Sequence, residues 1–129
     1  MTGARPVRVV IADDDPDIRA LVSIAVRKAG LELVEAAEDG TAAWLALQAH
    51  RPDLAVLDVS MPGMTGLDVC RLVRADAGLA GLHIVLLTAA VDDQSRAAGL
   101  DVGADDFFVK PFSPKELAST LSALMTEDH

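Results

Sequence analysis

Five short apolar runs alternate along this chain with five longer segments whose apolar residues recur at helical spacing. The runs are Val7–Ala12, Leu31–Ala36, Leu54–Leu57, Ile84–Leu87 and Phe107–Val109. Most of them are apolar throughout, which is typical of parallel strands covered by helices on both faces. Strict alternation of strand and helix predicts an α/β fold. Right-handed crossovers then place five helices around one doubly wound, five-stranded parallel sheet.

The second run differs from the others because polar and apolar residues partly alternate in it. Glu32 and Glu35 interrupt the apolar positions of Leu31–Ala36. A central strand of such a sheet would bury both carboxylates, whereas an edge strand leaves one side open to water. We therefore expect this run to form an edge strand.

Capping residues predict where the helices begin. Asp15 followed by Pro16 marks the start of the first helix, because Asp is a favoured N-cap and Pro is favoured at the first helical position. Ser113 and Pro114 mark the start of the fifth helix in the same way. The three helices between them are predicted over Thr41–Ala49, Gly66–Ala75 and Asp93–Leu100. The fourth helix is mostly polar or small, so we expect it to be loosely packed.

Length and composition narrow the class of protein. A chain of 129 residues with 51% apolar residues fits one domain, expected over residues 1–129 with a core from about 7 to 125. The net charge of −9 argues against direct nucleic-acid binding, which requires basic surfaces.

The lone Cys70 excludes an internal disulfide and is expected to be a small buried residue on a helix. No apolar stretch approaches the ~20 residues that span a membrane, so we expect a cytoplasmic protein.

Polar side chains stand at the carboxyl ends of four predicted strands. Asp13 and Asp14 follow the first strand, Asp58 the third, Thr88 the fourth and Lys110 the fifth. Open parallel sheets bind ligands at this edge, so these five side chains should lie near one another. Three carboxylates, a hydroxyl and an ammonium suit a site for a metal ion and a phosphoryl group.

The three carboxylates carry the chemistry of this predicted site. Mg²⁺ prefers oxygen ligands, and Asp13, Asp14 and Asp58 offer them. Asp58 is either a metal ligand only or a nucleophile that becomes phosphorylated, as carboxylates do in some phosphoryl transfers. Crowded carboxylates are costly to ionise, and Lys110 is the cation that compensates. The Lys110-Pro111 bond, in a predicted tight turn, is a candidate for the cis form.

Four motifs resemble the receiver domain of two-component response regulators, in its chemotaxis-regulator-like form. The motifs are Asp13–Pro16, Leu57–Gly66, Leu87–Ala89 and Gly103–Phe112. Each is weak alone, but together they occur in the expected order, and the resemblance extends from Val7 to Met125. It implies a flavodoxin-like sheet with the strand order 2-1-3-4-5.

The resemblance also implies roles for the site residues. Asp58 would accept a phosphoryl group from a sensor histidine kinase, a phosphotransfer protein or a small phosphodonor. Mg²⁺ would be held by Asp13, Asp14, Asp58 and the backbone carbonyl of Ser60. Such a chain catalyses only its own phosphorylation and dephosphorylation, and is otherwise not an enzyme.

The remaining implied roles concern the response to phosphorylation. Lys110 and Thr88 would each contact a phosphoryl oxygen, and Thr88 would move towards it. Phe107 would be the aromatic that swings inward when Thr88 moves, without the hydroxyl that many relatives carry there as Tyr. The face formed by the fourth helix, fifth strand and fifth helix would then change for an output partner or domain.

Three alternatives use the same residues differently. A phosphatase of the haloacid dehalogenase type would use Asp13 as nucleophile, but the acidic pair Asp105-Asp106 precedes Lys110 instead of following it. A calcium loop would use Asp13, Asp15 and Asp17 at alternate positions. It fails because Ile18 and Ile24 stand where such a loop needs Gly and Glu. A receiver-like module that is never phosphorylated would keep the fold and lack the modification.

Overall fold

The chain folds as five strands and five helices in strict alternation. The computed structural model describes residues 6–89 and 93–126. The strands are β1 (Arg8–Ala12), β2 (Glu32–Ala37), β3 (Leu54–Asp58), β4 (His83–Ala89) and β5 (Asp106–Lys110). The helices are α1 (Pro16–Lys28), α2 (Gly40–His50), α3 (Gly66–Ala75), α4 (Asp93–Asp101) and α5 (Pro114–Thr126). Within the described residues, no helix is long and apolar enough to cross a membrane.

The helix starts predicted from capping residues are confirmed. Asp15 is the N-cap of α1, and its side chain accepts hydrogen bonds from the backbone N–H groups of Asp17 and Ile18. Helix α5 begins at Pro114 as predicted. Strand β4 is longer than its apolar run, because Thr88 and Ala89 continue the pairing with β5 beyond the last leucine.

All five strands form one parallel sheet in the order β2-β1-β3-β4-β5. The predicted order is therefore confirmed, and so is the position of β2 at an edge. Strand β1 pairs with both β2 and β3, which brings the ends of β1 and β3 side by side. In the adjoining pair, Asp58 lies opposite Leu87 of β4.

The sheet is covered on both faces, which explains why most strands are apolar throughout. One core cluster joins β-strand residues to α2 and α3 through side chains such as Leu47 and Val69. The other joins the opposite side of the strands to α1 and α5 through side chains such as Val22 and Leu117. Cys70 is buried in the first cluster, and this desolvation raises the pKa of its thiol. Its predicted role as a small apolar residue is confirmed.

The start of α3 is fixed by reciprocal hydrogen bonds between Thr65 and Asp68. The Asp68 N–H donates to Thr65 Oγ1 over 3.1 Å, and the Thr65 N–H donates to Asp68 Oδ2 over 3.0 Å. The backbone hydrogen bond from Thr65 lowers the pKa of the Asp68 carboxyl. We expect Thr65→Ala to lower the free energy of unfolding by about 1 kcal/mol, the usual cost of a lost N-cap. Urea unfolding monitored by circular dichroism measures this loss, and a change no larger than that of Thr120→Ala on α5 would contradict it.

Candidate functional site

The five polar residues predicted to form a site all lie at the carboxyl edge of the sheet. Asp13 follows β1, and Asp58 is the last residue of β3. Thr88 and Lys110 lie at the ends of β4 and β5, where Thr88 pairs with Val109 and Ala89 with Lys110. Asp13, Asp58 and Thr88 are buried, with exposed fractions of 1%, 4% and 2%. Buried polar side chains at one edge require partners, and the site supplies some of them.

Three carboxylates meet at this edge as the sequence predicted. Asp13, Asp14 and Asp58 each offer an oxygen, and these three oxygens lie within 4.8 Å of one another. Asp14 is exposed whereas Asp13 and Asp58 are buried, so the cluster is closed on the protein side and open towards solvent. A ligand can therefore reach the buried carboxylates from the side of Asp14.

Lys110 lies between the two buried carboxylates. Its Nζ donates a hydrogen bond to Asp58 Oδ1 over 3.1 Å and lies 3.3 Å from Asp13 Oδ2. The Lys110-Pro111 peptide bond is cis, as its position in a tight turn suggested. Lys110 is thus the compensating cation that the crowded carboxylates required.

Backbone contacts hold the loop that carries Asp13. Its N–H donates to the carbonyl of Ala37 over 3.2 Å, and its Oδ1 accepts from the N–H of Asp15 over 3.0 Å. The guanidinium of Arg19 donates to the carbonyl of Asp13 over 2.8 Å. This role of Arg19 was not predicted, since nothing in its place on α1 indicates that its side chain turns back to the loop after β1.

Backbone hydrogen bonds also hold the loop after Asp58. The N–H of Val59 donates to the carbonyl of Leu87 over 2.9 Å, and the N–H of Gly66 donates to the carbonyl of Val59 over 3.1 Å. Gly66 is buried, and a Cβ there would overlap the backbone carbonyl of Asp58. Gly63 has a φ of +75°, a conformation that favours glycine. The two glycines shape this loop and start α3, as predicted.

Burial and neighbouring charges set the ionisation of the site. Desolvation and the nearby carboxylate of Asp13 raise the pKa of Asp58, and they outweigh the lowering effects of Lys110 and of a backbone hydrogen bond from Ser60. Burial by itself lowers the pKa of Lys110, but its hydrogen bond and ion pair with Asp58, together with Asp13, raise it overall. Lys110 is therefore charged at neutral pH, whereas the negative charge of Asp58 lowers the stability of the folded protein.

The carboxylate cluster fits a divalent cation. Asp13 Oδ2 is buried and has no hydrogen-bond partner among the described residues, its contact with Lys110 being an ion pair only. The donors are all carboxylate oxygens, which Mg²⁺ prefers, and the open side leaves room for the waters that Mg²⁺ retains. A cation here would also relieve the repulsion that raises the pKa of Asp58.

Thr88 and Phe107 lie on the same side of the sheet. Thr88 Oγ1 is buried and, within the described part of the chain, has no hydrogen-bond partner. The ring of Phe107 is half-buried and packs against the core cluster on the α2 and α3 side. A buried hydroxyl without a partner at the carboxyl end of β4 is suited to a ligand that brings an acceptor oxygen.

A family model described as the response regulator receiver domain matches residues 9–122. That span contains all of the residues of the carboxylate cluster together with Thr88 and Lys110. The chain belongs to the response regulator receiver family. Its acidic pocket of Asp13, Asp14 and Asp58 is the acidic site of a receiver domain.

Relatives of this receiver domain include DNA-binding regulators. It is 43% identical over 116 residues to the DNA-binding response regulator MtrA of Mycolicibacterium smegmatis, a match that covers 90% of this chain and 49% of MtrA. It is 42% identical over 121 residues to the probable transcriptional regulatory protein TcrX of Mycobacterium tuberculosis, covering 94% of this chain and 50% of TcrX. The chain thus spans about half the length of these relatives.

Solved structures agree with the fold of the receiver domain. The chemotaxis protein CheY4 of Vibrio cholerae is 35% identical and superimposes with a TM-score of 0.84, covering 92% of this chain and 98% of CheY4. The receiver domain of AraT from Geobacillus stearothermophilus is 26% identical, with a TM-score of 0.82 over 96% of this chain and 98% of that receiver-domain chain. The flavodoxin-like architecture predicted from the motifs is confirmed.

Proposed function

We propose that this receiver domain is a phosphorylation-activated switch of a cytoplasmic two-component phosphorelay, with Asp58 as the phosphoacceptor. One observation carries the proposal. Asp58 is 4% exposed, and its Oδ1 lies 3.1 Å from Lys110 Nζ, within a cluster whose third carboxylate, Asp14, is open to solvent. A carboxylate that is buried and crowded by other carboxylates lowers the stability of the folded protein, even beside an ammonium. A function at that position accounts for its presence there. Residues 1–129 form a single domain in this proposal.

The chemical step is a transfer of one phosphoryl group to Asp58. A carboxylate oxygen attacks phosphorus and forms a new O–P bond, while the bond from phosphorus to the donor breaks. The bonding electrons leave with the donor, which is an imidazole nitrogen of a phosphohistidine or the oxygen of an acyl phosphate. Lys110, already beside Asp58, would balance negative charge on the transferred oxygens. Hydrolysis of the aspartyl phosphate by water reverses the switch.

The carboxylate cluster would hold Mg²⁺ for this step. Asp13, Asp14 and Asp58, with the backbone carbonyl of Ser60, are the residues that we expect to bind it. When bound, the ion supplies positive charge that offsets the charge on the phosphoryl oxygens. The raised pKa of Asp58 supports this assignment, since a cation favours the ionised carboxylate.

The response to phosphorylation would pass through Thr88 and Phe107. Thr88 Oγ1 is buried without a partner, and a phosphoryl oxygen on Asp58 would give it an acceptor. Movement of Thr88 towards that oxygen would let Phe107 move further inward on the same face. The surface formed by α4, β5 and α5 would then change for an output domain or target protein.

The phosphodonor would dock near α1 and the loop after β5, the region that the resemblance to receiver domains implies. Ile24 on α1 is a large apolar side chain with 44% of its surface exposed. Phe112, just beyond Lys110, is half-buried and packs edge-to-face on Phe108 at 5.4 Å between ring centroids. We expect a sensor histidine kinase or a phosphotransfer protein to contact this region of the domain.

Magnesium-dependent phosphorylation tests the proposal. Incubation with acetyl phosphate and Mg²⁺ should add one phosphoryl group to the intact protein, and a chelator should prevent the addition. Asp14→Asn removes an exposed metal ligand and should slow the reaction at low Mg²⁺ by about tenfold or more, the usual cost of a weakened metal site. Asp17→Asn removes an exposed carboxylate on α1 outside the cluster and should react as the wild-type protein does. Equal rates with Mg²⁺ and with chelator would overturn the metal assignment.

A further inference from the structure

Helix α2 differs from its surroundings in charge. Its residues, Gly40–His50, include no Asp, Glu, Lys or Arg, although these four types make up 24% of the chain. A helix on the surface of a globular protein ordinarily presents charged side chains on the side away from the core. In a chain of net charge −9, a second acidic molecule can therefore approach α2 without meeting an acidic side chain on the helix.

The outer face of α2 has a leucine at its centre. Leu45 is 61% exposed, whereas Leu47 on the inner face is fully buried in the core. Thr41, Gln48 and Ala49 are also exposed, and they lie three or four residues from Leu45, so they share its face. A single exposed leucine is common, but a large apolar side chain within an uncharged face is typical of a protein interface.

The two ends of α2 carry opposite charges. Glu38 and Asp39 precede the helix, and Arg51 follows it, with Glu38 and Arg51 both exposed. Leu45 stands midway between these ends, because it is as far along the chain from Asp39 as from Arg51. Two copies of α2 packed antiparallel about a two-fold axis at Leu45 therefore bring the acidic end of each helix to the basic end of the other.

We propose that the outer face of α2 is a dimerisation surface whose partner is a second copy of this chain in antiparallel orientation. Leu45 packs against the same residue of the other copy at the axis, and Glu38 pairs with Arg51 of the other copy at each end. The guanidinium of Arg51 lies beside Gly78, and rotation of this exposed side chain brings it to the other copy. The inference goes beyond the proposed function, since none of these residues belongs to the carboxylate cluster.

The size of this face sets the strength of the association. Helix α2 has 11 residues and is therefore about 16 Å long. A contact built mainly on one such helix falls among the small interfaces, which are weak and transient. The dimer should therefore form at high protein concentration and dissociate on dilution.

Sedimentation velocity on the full chain tests the dimer and its centre. Wild-type protein should shift from monomer towards dimer between about 10 μM and about 1 mM, the range in which weak association becomes visible. Leu45→Lys places two ammonium groups at the axis and should weaken the association by about tenfold or more. General charge repulsion cannot cause this loss, because the substitution makes the net charge of the chain less negative.

Ile24→Lys is the matched control for Leu45→Lys. Ile24 is also a large exposed apolar residue, and the substitution changes the net charge equally. Helix α1 packs on the opposite face of the sheet from α2, so Ile24→Lys should associate as the wild-type protein does. Both substitutions are at exposed positions of helices, where lysine supports helix formation.

Charge reversal tests the antiparallel orientation. Glu38→Arg and Arg51→Glu should each weaken self-association, because each places like charges opposite one another at both ends of the interface. A mixture of the two variants should associate about as strongly as the wild-type protein. In the mixed dimer the introduced arginine faces the introduced glutamate, and the other end keeps the native pair. General repulsion predicts instead that Glu38→Arg associates more strongly than the wild type, since it has the smaller net charge.

Each outcome supports or overturns a defined part of the inference. Wild-type protein that stays monomeric over the whole concentration range overturns the dimer. A dimer that Leu45→Lys leaves intact, or that Ile24→Lys weakens equally, overturns the assignment to α2. A mixture of Glu38→Arg and Arg51→Glu that stays monomeric overturns the antiparallel arrangement, whereas its recovery also shows that both variants are folded.

Discussion

Asp58→Asn is expected to abolish phosphorylation and, in the presence of a chelator, to raise the free energy of unfolding by about 1 kcal/mol. The first effect follows because the amide cannot serve as the nucleophile. The second follows because burial and the charge of Asp13 raise the pKa of Asp58, so that ionised Asp58 destabilises the folded protein. Intact-protein mass measures the first effect, and urea unfolding in chelator measures the second.

The stability gain of Asp58→Asn should depend on pH. Between the ordinary pKa of 3.8 and the higher pKa in the folded state, folded protein binds more protons than unfolded protein. The stability of the wild-type protein therefore falls as the pH rises through this window. The gain from Asp58→Asn should be full above the window and should disappear as the pH approaches 3.8 from above. Asp101→Asn removes an exposed carboxylate on α4 and should show neither the loss of phosphorylation nor this gain.

Arg74→Met is expected to lower the free energy of unfolding by about 2–4 kcal/mol. The Arg74 side chain donates hydrogen bonds to the carbonyls of Gly103, Ala80 and Leu82, over 2.8, 2.9 and 2.6 Å. It also donates to Asp105 Oδ2 over 2.7 Å. One side chain of α3 thus connects the loops that enter β4 and β5. Methionine keeps much of the volume of arginine but none of its hydrogen-bond donors.

The neighbouring Arg71→Met is the matched control for this prediction. Arg71 lies on the same helix with 63% of its side chain exposed, and its ion pair with Asp68 is of the surface kind. Its replacement should change the free energy of unfolding by no more than about 0.5 kcal/mol. Arg74→Lys should recover only part of the loss, because an ammonium cannot span acceptors on separate loops as the guanidinium does. Similar losses in Arg74→Met and Arg71→Met, measured by urea unfolding, would contradict this account of Arg74.

The fold was predictable from sequence wherever local chemistry and tertiary position agree. The run Leu54–Leu57 is apolar throughout because β3 is central and covered on both faces, and Glu32 interrupts β2 because that strand lies at an edge. Asp15 and Pro16 specify the start of α1 through contacts within a few residues. Such signals depend on residues close together in the chain, so they can be recognised in a single sequence.

The convergence of the site was predictable for a related reason. In a parallel sheet, residues at the carboxyl ends of strands meet at one edge, so Asp13, Asp58 and Lys110 were expected to be neighbours. The contact of Lys110 with both carboxylates was not predictable in detail, because it depends on the path of a long side chain. Roles in phosphorylation rest on the family and on the geometry, and they stay predictions until the chemistry is measured.

Other important contacts leave no local signal. Arg74 resembles any helical arginine in the sequence, and only the folded structure brings the loops around Gly103 and Leu82 to its guanidinium. In the sequence, Gly99 is only a glycine in a polar helix, where glycine weakens helix formation. The structure shows that the Phe107 ring lies where a side chain at position 99 would be. Both depend on residues of separate elements, which sequence periodicity does not relate.

Locating the phosphoryl group on the chain tests the central claim most directly. Trypsin is expected to separate the carboxylates, because Val9–Arg19 carries Asp13 and Asp14, whereas Ala29–Arg71 carries Asp58 and its internal Arg51 precedes a proline. Protein treated with acetyl phosphate and Mg²⁺ would be reduced with borohydride to trap an acyl phosphate, then digested and sequenced by mass spectrometry. The account predicts the reduced residue at position 58. A reduced residue at Asp13 would contradict it and favour a phosphatase of the haloacid dehalogenase type, and no reduced residue in either peptide would contradict phosphorylation of this site altogether.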